Sequence, residues 1–294
     1  MSRLVRQEFL GAKSESVLAS TKIGIVGLGG GGSHVAQQAG HIGIGRYVLV
    51  DPDQIDLSNT NRLVGGTLLD VLRRAFKTAI AARTIRGVHP GAHILEVKKS
   101  WHDATEELKS CDLIIGAVDT FSEREQLERF ARRNLIPYID VGMDVHDIQP
   151  HGFLVAGQVV LSTPGYPCLR CCGVITDERV GFEAGKYGAV GGRPQVVWPN
   201  AVLASTAVGL MMQVLTPWHR KPLAFAYLIY DGNKGTMVPS PRADVLQGSV
   251  CPHHPADEAG DPLFDIRAHL RRPPQVAARA WPRWVNWLLS LAGR

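Results

Sequence analysis

Several features that would narrow the function class quickly are missing from this 294-residue chain. It has no internal repeat and no disulfide framework: its five cysteines are odd in number and fall as Cys111, the group Cys168, Cys171 and Cys172, and Cys251. That distribution suits reduced thiols, some of them on a metal, better than a cross-linked secreted domain. Concentrated charge is missing too. The net charge is +5, and the basic pairs Arg73–Arg74, Arg132–Arg133 and Arg271–Arg272 are scattered, so charge makes no case for a nucleic-acid partner. No early run joins basic residues, an apolar core and a small-residue cleavage site, and no apolar run reads as a membrane span. The expectation is a soluble cytoplasmic protein with no membrane partner. With 45% hydrophobic and 20% charged residues, the chain can bury a large core, as one large α/β domain or two smaller ones.

Apolar runs alternate with segments of helical period. Strands are expected at KIGIVGLG, RYVLVD, AHILEVKK, CDLIIGAVD and IPYIDVG, and helices at 33–42, 69–86 and 122–134. This alternation predicts an α/β, Rossmann-like nucleotide-binding fold with a mainly parallel sheet. Beyond Gly142 the strands GFLVAGQVVLS and LAFAYLIYDG lack such helices and predict an antiparallel extension, beside a buried helix at 199–215. Glycine-rich FEAGKYGAVGGRP reads as a mobile loop and 241–262 as irregular. Four segments follow: an arm at 1–20, a nucleotide-binding half at 21–145, a substrate-binding half at 146–260, and a tail at 261–294.

Four consecutive glycines sit between the first strand and the helix after it. Gly27-x-Gly29-Gly30-x-Gly32 gives a tight turn and a helix start whose N–H groups favour phosphate. The second strand ends in Asp51, where a carboxylate can accept hydrogen bonds from ribose hydroxyls. Both features fit a nicotinamide enzyme equally well. The loop DPDQIDLSNTNR separates the cases, because Asp51, Asp53, Asn59 and Arg62 are more polar machinery than a ribose needs. Lys77 follows on the next helix and Asp119 ends the fourth strand. Arginine and lysine suit the charge of a triphosphate, and a carboxylate at a strand's carboxyl end suits Mg²⁺.

With these residues in place, from 4 to 255, the chain resembles the E1-like adenylating family, which includes the sulfur-carrier activators of thiamin and molybdopterin synthesis and the adenylation domains of ubiquitin-activating enzymes. The resemblance implies ATP and Mg²⁺ as cofactors, with Asp51 on the ribose, Asn59 and Arg62 facing the phosphates, Lys77 on the α-phosphate and leaving pyrophosphate, and Asp119 holding Mg²⁺. VRQEF resembles the family's Arg-Gln segment, which makes Arg6 the residue reaching the γ-phosphate bound by a partner subunit and implies a homodimer. RRAFK departs from the family's glycine-containing lead-in to the lysine.

CLRC (Cys168, Cys171) and CPHH (Cys251, His254) form two short ligand pairs that suit a structural, tetrahedral Zn²⁺. The family often carries two C-x-x-C pairs here; His254 stands where the last cysteine would be, and His253 is an alternative ligand. Many relatives also carry an acyl- or sulfur-accepting cysteine after the first pair. Here none lies between Gly173 and Cys251, and Cys172 abuts the zinc pair, so a thioester on this chain is not expected. The substrate implied is the terminal glycine of a ubiquitin-like or sulfur-carrier protein ending in Gly-Gly. A peptide terminus or a carboxylate in a modified tRNA base is the family's other option. An NAD-dependent oxidoreductase and a non-catalytic ATP-binding module are the competing classes. In the tail, Trp281, Trp284, Val285 and Leu288 recur at helical spacing and predict an amphipathic helix.

Overall fold

The computed structural model describes residues 3–185, 194–219, 221–255, 258–261, 264 and 266–271. The expected tail helix therefore lies outside the described residues. The chain forms two compact units, Met1–Pro262 and Leu263–Arg294, the second represented by a short helix, Ile266–Arg271.

The first unit is built on an eight-stranded sheet: β1 (Lys22–Val26), β2 (Arg46–Val50), β3 (His93–Val97), β4 (Leu113–Gly116), β5 (Tyr138–Asp147), β6 (Phe153–Ser162), β7 (Ala226–Asp231) and β8 (Thr236–Pro239), in the order β3-β2-β1-β4-β5-β6-β7-β8. The five strands from β3 to β5 are parallel and the rest antiparallel, as the change of pattern after Gly142 predicts. β5 runs across residues 145 and 146, so the sheet is continuous between the nucleotide-binding and substrate-binding halves.

The helices are α1 (Ser14–Ser20), α2 (Gly30–Ile42), α3 (Leu68–Leu72), α4 (Lys77–Val88), α5 (Thr105–Lys109), α6 (Phe121–Arg133), α7 (Asp177–Gly185), α8 (Val197–Leu215) and α9 (Pro241–Leu246). Successive strand residues point to opposite faces. Ile23 and Ile25 of β1, with Leu113, Ile115, Ile139 and Val141, form one core with α2, α4 and α8. Alternate residues such as Tyr138 and Asp140 face α6 instead.

Several elements differ from expectation. The helix expected at 69–86 is broken into α3 and α4, because Arg74 takes a left-handed φ of 51°. The break places Lys77 at the first turn of α4, where its backbone N–H donates to Asp53 O at 3.0 Å. α2 starts three residues earlier than expected because Gly29 is its N-cap. The stretch expected to be a mobile loop begins inside α7, and 186–193 lie outside the described residues. Within 241–262, Pro241 starts α9 behind the Ser240 cap. Against the expectation of no membrane-length apolar run, α8 has 19 residues and is long and apolar enough by length and composition to span one. Here it packs on α2, β5 and β6, with half of that span buried.

Candidate adenylate site and thiol cluster

A cleft of ≈ 1270 Å³ opens at the carboxyl ends of β1, β2, β4 and β5, where the strand order reverses between β1 and β4. Open α/β sheets bind ligands at such a point. Its floor is the glycine loop. Gly27 has φ +83°, and a Cβ there would lie 2.5 Å from Ala117 O; a Cβ on Gly32 would lie 1.8 Å from Gly27 O. These two glycines are required by the fold itself. At Gly29 an added Cβ meets nothing within 4 Å among the described residues. Among the described residues no side chain caps the start of α2, and a helix start of this kind offers its first N–H groups to an anion.

Asp51 is almost fully buried at the end of β2. Its carboxylate accepts from Leu28 N at 2.7 Å and Asp53 N at 2.9 Å, which joins the glycine loop to the next loop and leaves lone pairs over. Burial pushes the Asp51 carboxyl up, opposed first by the Lys77 ammonium and then by the two N–H donors. Lys77 Nζ lies 2.7 Å from Asp53 and 3.9 Å from Asp51. A cation at a helix N-terminus is unfavourable by itself, and these carboxylates offset that cost. Asn59 is buried and turned inward: with Asp56 it forms a reciprocal cap on the 3₁₀ turn Leu57–Asn61. That turn carries Arg62, whose Nη1 donates to Ser58 O at 2.8 Å and Asn61 Oδ1 at 2.9 Å. Asp119 is exposed in the cleft and accepts from Gln195 Nε2 at 3.1 Å.

The structure therefore brings Gly27, Gly29, Gly30, Asp51, Asp53, Asn59, Arg62, Lys77 and Asp119 to one cleft. Gly32 sits behind it. Arg6 does not join them: it is exposed on the 3₁₀ helix Val5–Leu10 and outside the described lining of the cleft.

Sequence reasoning passed over a second set of groups. On α6, Arg124, Glu128 and Arg132 recur at i, i+4 and i+8 and are all buried. In sequence such a row reads as a solvated helix face; what gives it away is only that the partner strand carries a matching Asp140. Arg124 lines the cleft and is held by a forked pair with Asp140, Nε donating to Oδ1 at 2.9 Å, while Tyr138 Oη donates to the same carboxylate at 3.1 Å. Glu128 accepts from Ser162 Oγ at 2.5 Å and Leu169 N at 3.0 Å, and Arg132 donates to Ser162 Oγ and Tyr166 O. Burial drives the Glu128 carboxyl up to about 7, with Ser162, Arg132 and Leu169 opposing it.

Leu169 lies between the first two thiols. Cys168, Cys171, Cys251 and His253 come together: Cys168 Sγ to Cys171 Sγ is 3.6 Å, Cys171 Sγ to Cys251 Sγ is 3.7 Å, and His253 Nδ1 lies 3.5 and 3.4 Å from the Cys168 and Cys171 sulfurs. A tetrahedral Zn²⁺ with bonds of about 2.3 Å to sulfur and about 2.0 Å to nitrogen has ligand-to-ligand edges of roughly 3.5 to 3.8 Å. The donor set fits that ion in chemistry and spacing, and its four members leave no open position. The histidine in the set is His253, not the expected His254. After Cys251 the chain turns at Pro252 and returns the residue two positions on to the sulfurs. His254 turns inward instead, its Nε2 3.9 Å from Glu128, and burial followed by the charges of Arg132 and Arg129 pushes its ring down to about 3. Cys172 is buried, and burial pushes its thiol up to about 12; Cys111 behaves alike.

A family profile described as ThiF family matches residues 1–252. The chain belongs to the ThiF family. Among curated proteins it is similar to the SAMP-activating enzyme E1 of Haloferax volcanii, with 28% identity over 174 residues, 58% of this chain and 60% of that one. It is also similar to the tRNA threonylcarbamoyladenosine dehydratase of Escherichia coli, with 31% identity over 143 residues, 48% and 53% of the two chains. A longer match is the sulfur carrier protein adenylyltransferase of Thermus thermophilus, with 27% identity over 243 residues, 79% and 83%. The matched region thus spans only about half to three fifths of the first two relatives. Among solved structures, E. coli MccB with ATP matches at a TM-score of 0.66 and 20% identity, covering 81% of this chain and 71% of that one. That likeness concerns the fold.

Proposed function

We propose that this ThiF family member adenylates a carboxylate with ATP, and that the carboxylate is the terminal glycine of a ubiquitin-like or sulfur-carrier protein. One observation carries the reading: a glycine loop at the uncapped start of a helix, the buried Asp51, two cations and the exposed carboxylate of Asp119 line a single cleft at the switch point of the sheet. A dinucleotide oxidoreductase needs the first two, whereas Arg62, Lys77 and Asp119 answer the charge of a triphosphate. The choice of a protein terminus leans on the activating enzymes among the relatives; the dehydratase among them keeps a tRNA carboxylate as the second reading.

In the reaction an oxygen of the substrate carboxylate attacks the α-phosphorus, the bond to the bridging oxygen of the β-phosphate breaks, and pyrophosphate leaves. The protein's task is alignment and charge stabilisation. The α2 N-terminus and glycine loop hold phosphate oxygens, Asp51 holds the ribose, and Lys77 with Arg62 takes up the charge that moves to pyrophosphate. Asp119 would hold Mg²⁺, which supplies further charge neutralisation on the phosphates; one carboxylate plus phosphate oxygens is the donor set this ion accepts. Zn²⁺ on Cys168, Cys171, Cys251 and His253 would be structural. No side-chain nucleophile is needed, and the buried Cys172 is unsuited to be one. The acyl-adenylate passes to a separate acceptor. In a homodimer, Arg6 of one chain would complete the cleft of the other.

The test is ATP–pyrophosphate exchange with Mg²⁺ and, in turn, small proteins ending in Gly-Gly, their terminal deletions, and bulk tRNA. Exchange that needs the Gly-Gly terminus and disappears in Asp119→Ala supports the reading. Exchange driven by tRNA alone selects the second reading, and exchange with none of them overturns adenylation of these substrates.

A further inference from the structure

Arg62, on the loop after β2, and Asp119, on the loop after β4, are the groups assigned to one polyphosphate and its metal, yet β1 lies between their strands. Direct strand pairing therefore does not set their spacing. A relay of side chains joins them instead. Arg62 Nη1 donates to Asn61 Oδ1 at 2.9 Å, Asn61 Nδ2 donates to Gln195 O at 3.1 Å, and Gln195 Nε2 donates to Asp119 Oδ1 at 3.1 Å. Each amide fits only one way round, because a guanidinium donates to the oxygen of the first and a carboxylate accepts from the nitrogen of the second. Gln195 also projects from a firm base. It lies just before α8, where Asn200 Nδ2 donates to Val196 O at 2.9 Å. Asn200 is itself buried against the glycine loop, its Nδ2 only 2.5 Å from where a Cβ on Gly30 would lie.

Neither Asn61 nor Gln195 has a part in the reaction as written above. Asp119 is exposed in the cleft, and an exposed side chain samples several rotamers unless something orients it. A carboxylate that ligates a metal is commonly held by an outer hydrogen bond, and one amide donor supplies that without using up its lone pairs. We propose that Asn61 and Gln195 are positioning residues for the metal. The relay turns the Asp119 carboxylate toward the phosphates that Arg62 binds, so that Mg²⁺ meets its protein ligand and its phosphate oxygens in one prepared arrangement. Little ordering cost then remains when the loaded nucleotide arrives. Neither residue touches the reacting atoms. This rests on the reading of the cleft as a site for ATP and Mg²⁺.

The experiment measures the dissociation constant of the full chain for ATP in a metal chelator and for ATP saturated with Mn²⁺, an oxygen-ligated stand-in for Mg²⁺. The ratio of the two constants is the metal's own contribution to binding. In Gln195→Ala that ratio should fall about tenfold, the scale for losing an outer hydrogen bond to a metal ligand, while metal-free ATP binds within about twofold of wild type. Asn61→Ala should lower the ratio in the same direction, and should lower it no further in a chain that already carries Gln195→Ala, because the two act through one relay. An unchanged ratio in Gln195→Ala overturns the proposal. So does a raised ratio, which would make the amide a competitor of the metal for Asp119. Equal losses with and without Mn²⁺ would make the relay a prop of the cleft wall and also overturn it. A wild-type chain that binds no ATP, or binds it equally with and without Mn²⁺, would instead overturn the reading beneath, and the proposal with it.

Discussion

The cleft and the thiol cluster lie near opposite ends of one buried row of charges on α6, yet they are built in different ways. The cleft is made by topology: its groups sit on loops after neighbouring parallel strands, and the sheet delivers them to one place whether or not a ligand is present. The cluster is made by side chains: it joins Cys168 and Cys171 to Cys251 and His253 across some eighty residues, in a stretch with little regular structure. Damage to the first should therefore act on the whole domain or on chemistry alone, according to which glycine or cation is changed. Damage to the second should act on local stability and leave nucleotide binding in place.

The strongest way to break this contrast is within the glycine loop. Gly32→Ala or Gly27→Ala forces a methyl group into backbone oxygen, and at Gly27 also a strained φ, so each should cost about 3 kcal/mol or more of unfolding free energy. Gly29→Ala meets open space and should cost less than about 1 kcal/mol while still weakening ATP binding. Urea unfolding beside nucleotide titration checks both. A stable Gly32→Ala protein that only fails to bind nucleotide would mean that the loop is shaped by its ligand after all.

Next comes the cation at the break between α3 and α4. Lys77→Ala should reduce ATP–pyrophosphate exchange by about 10²-fold, the scale for losing one charge-stabilising donor. Thermal unfolding should move by no more than a few degrees, since Lys77 pairs with an exposed Asp53 and the loss is partly screened. An equal fall in stability and activity would place Lys77 in the scaffold.

The parts of this contrast visible in the sequence follow the same division. The glycine loop, Asp51, Asp119 and the strand order are local signals, because each couples a residue type to its position just after an apolar run. The break at Arg74 is invisible in that way: nothing in RRAF forbids a continuous helix, and the bridge between Gln54 and Phe76 that accompanies it is a tertiary contact. Burial of Arg124, Glu128 and Arg132 is hidden for a related reason. Helical period marks a face but not which side of it is covered, and a charged face is buried only when a strand such as β5 offers Asp140 and a loop offers Leu169 N. Membership in the family with motif spacing located the thiols, while the choice between two adjacent histidines depended on one turn at Pro252.

Removing the cross-connection tests the other side of the contrast. Cys251→Ser should lower the zinc content per chain well below one and reduce the melting temperature by about 5 °C, equivalent to roughly 2 kcal/mol for a domain of this size. The dissociation constant for ATP should stay within about twofold of wild type. Metal analysis, calorimetry and nucleotide titration on one preparation decide the matter, and a large loss of ATP affinity would show that the two sites are not separable.

The finest distinction lies between neighbours. His253 is exposed and directs Nδ1 at two sulfurs, whereas His254 is turned to Glu128, a carboxylate that already takes Ser162 and Leu169 as donors. His253→Ala should weaken Zn²⁺ at least about tenfold, because the fourth position passes to water, and should cost the apo fold little since the residue is exposed. His254→Ala should keep Zn²⁺ affinity within about threefold and lower stability by about 1 kcal/mol through the lost packing. Competition with a chromophoric chelator gives the affinities and denaturant unfolding the stabilities. If the two variants exchanged these roles, the turn at Pro252 would have to be reversed in the zinc-bound protein, and the fourth ligand would sit on the side of the buried carboxylate, where α6 rather than the surface loop would hold the metal.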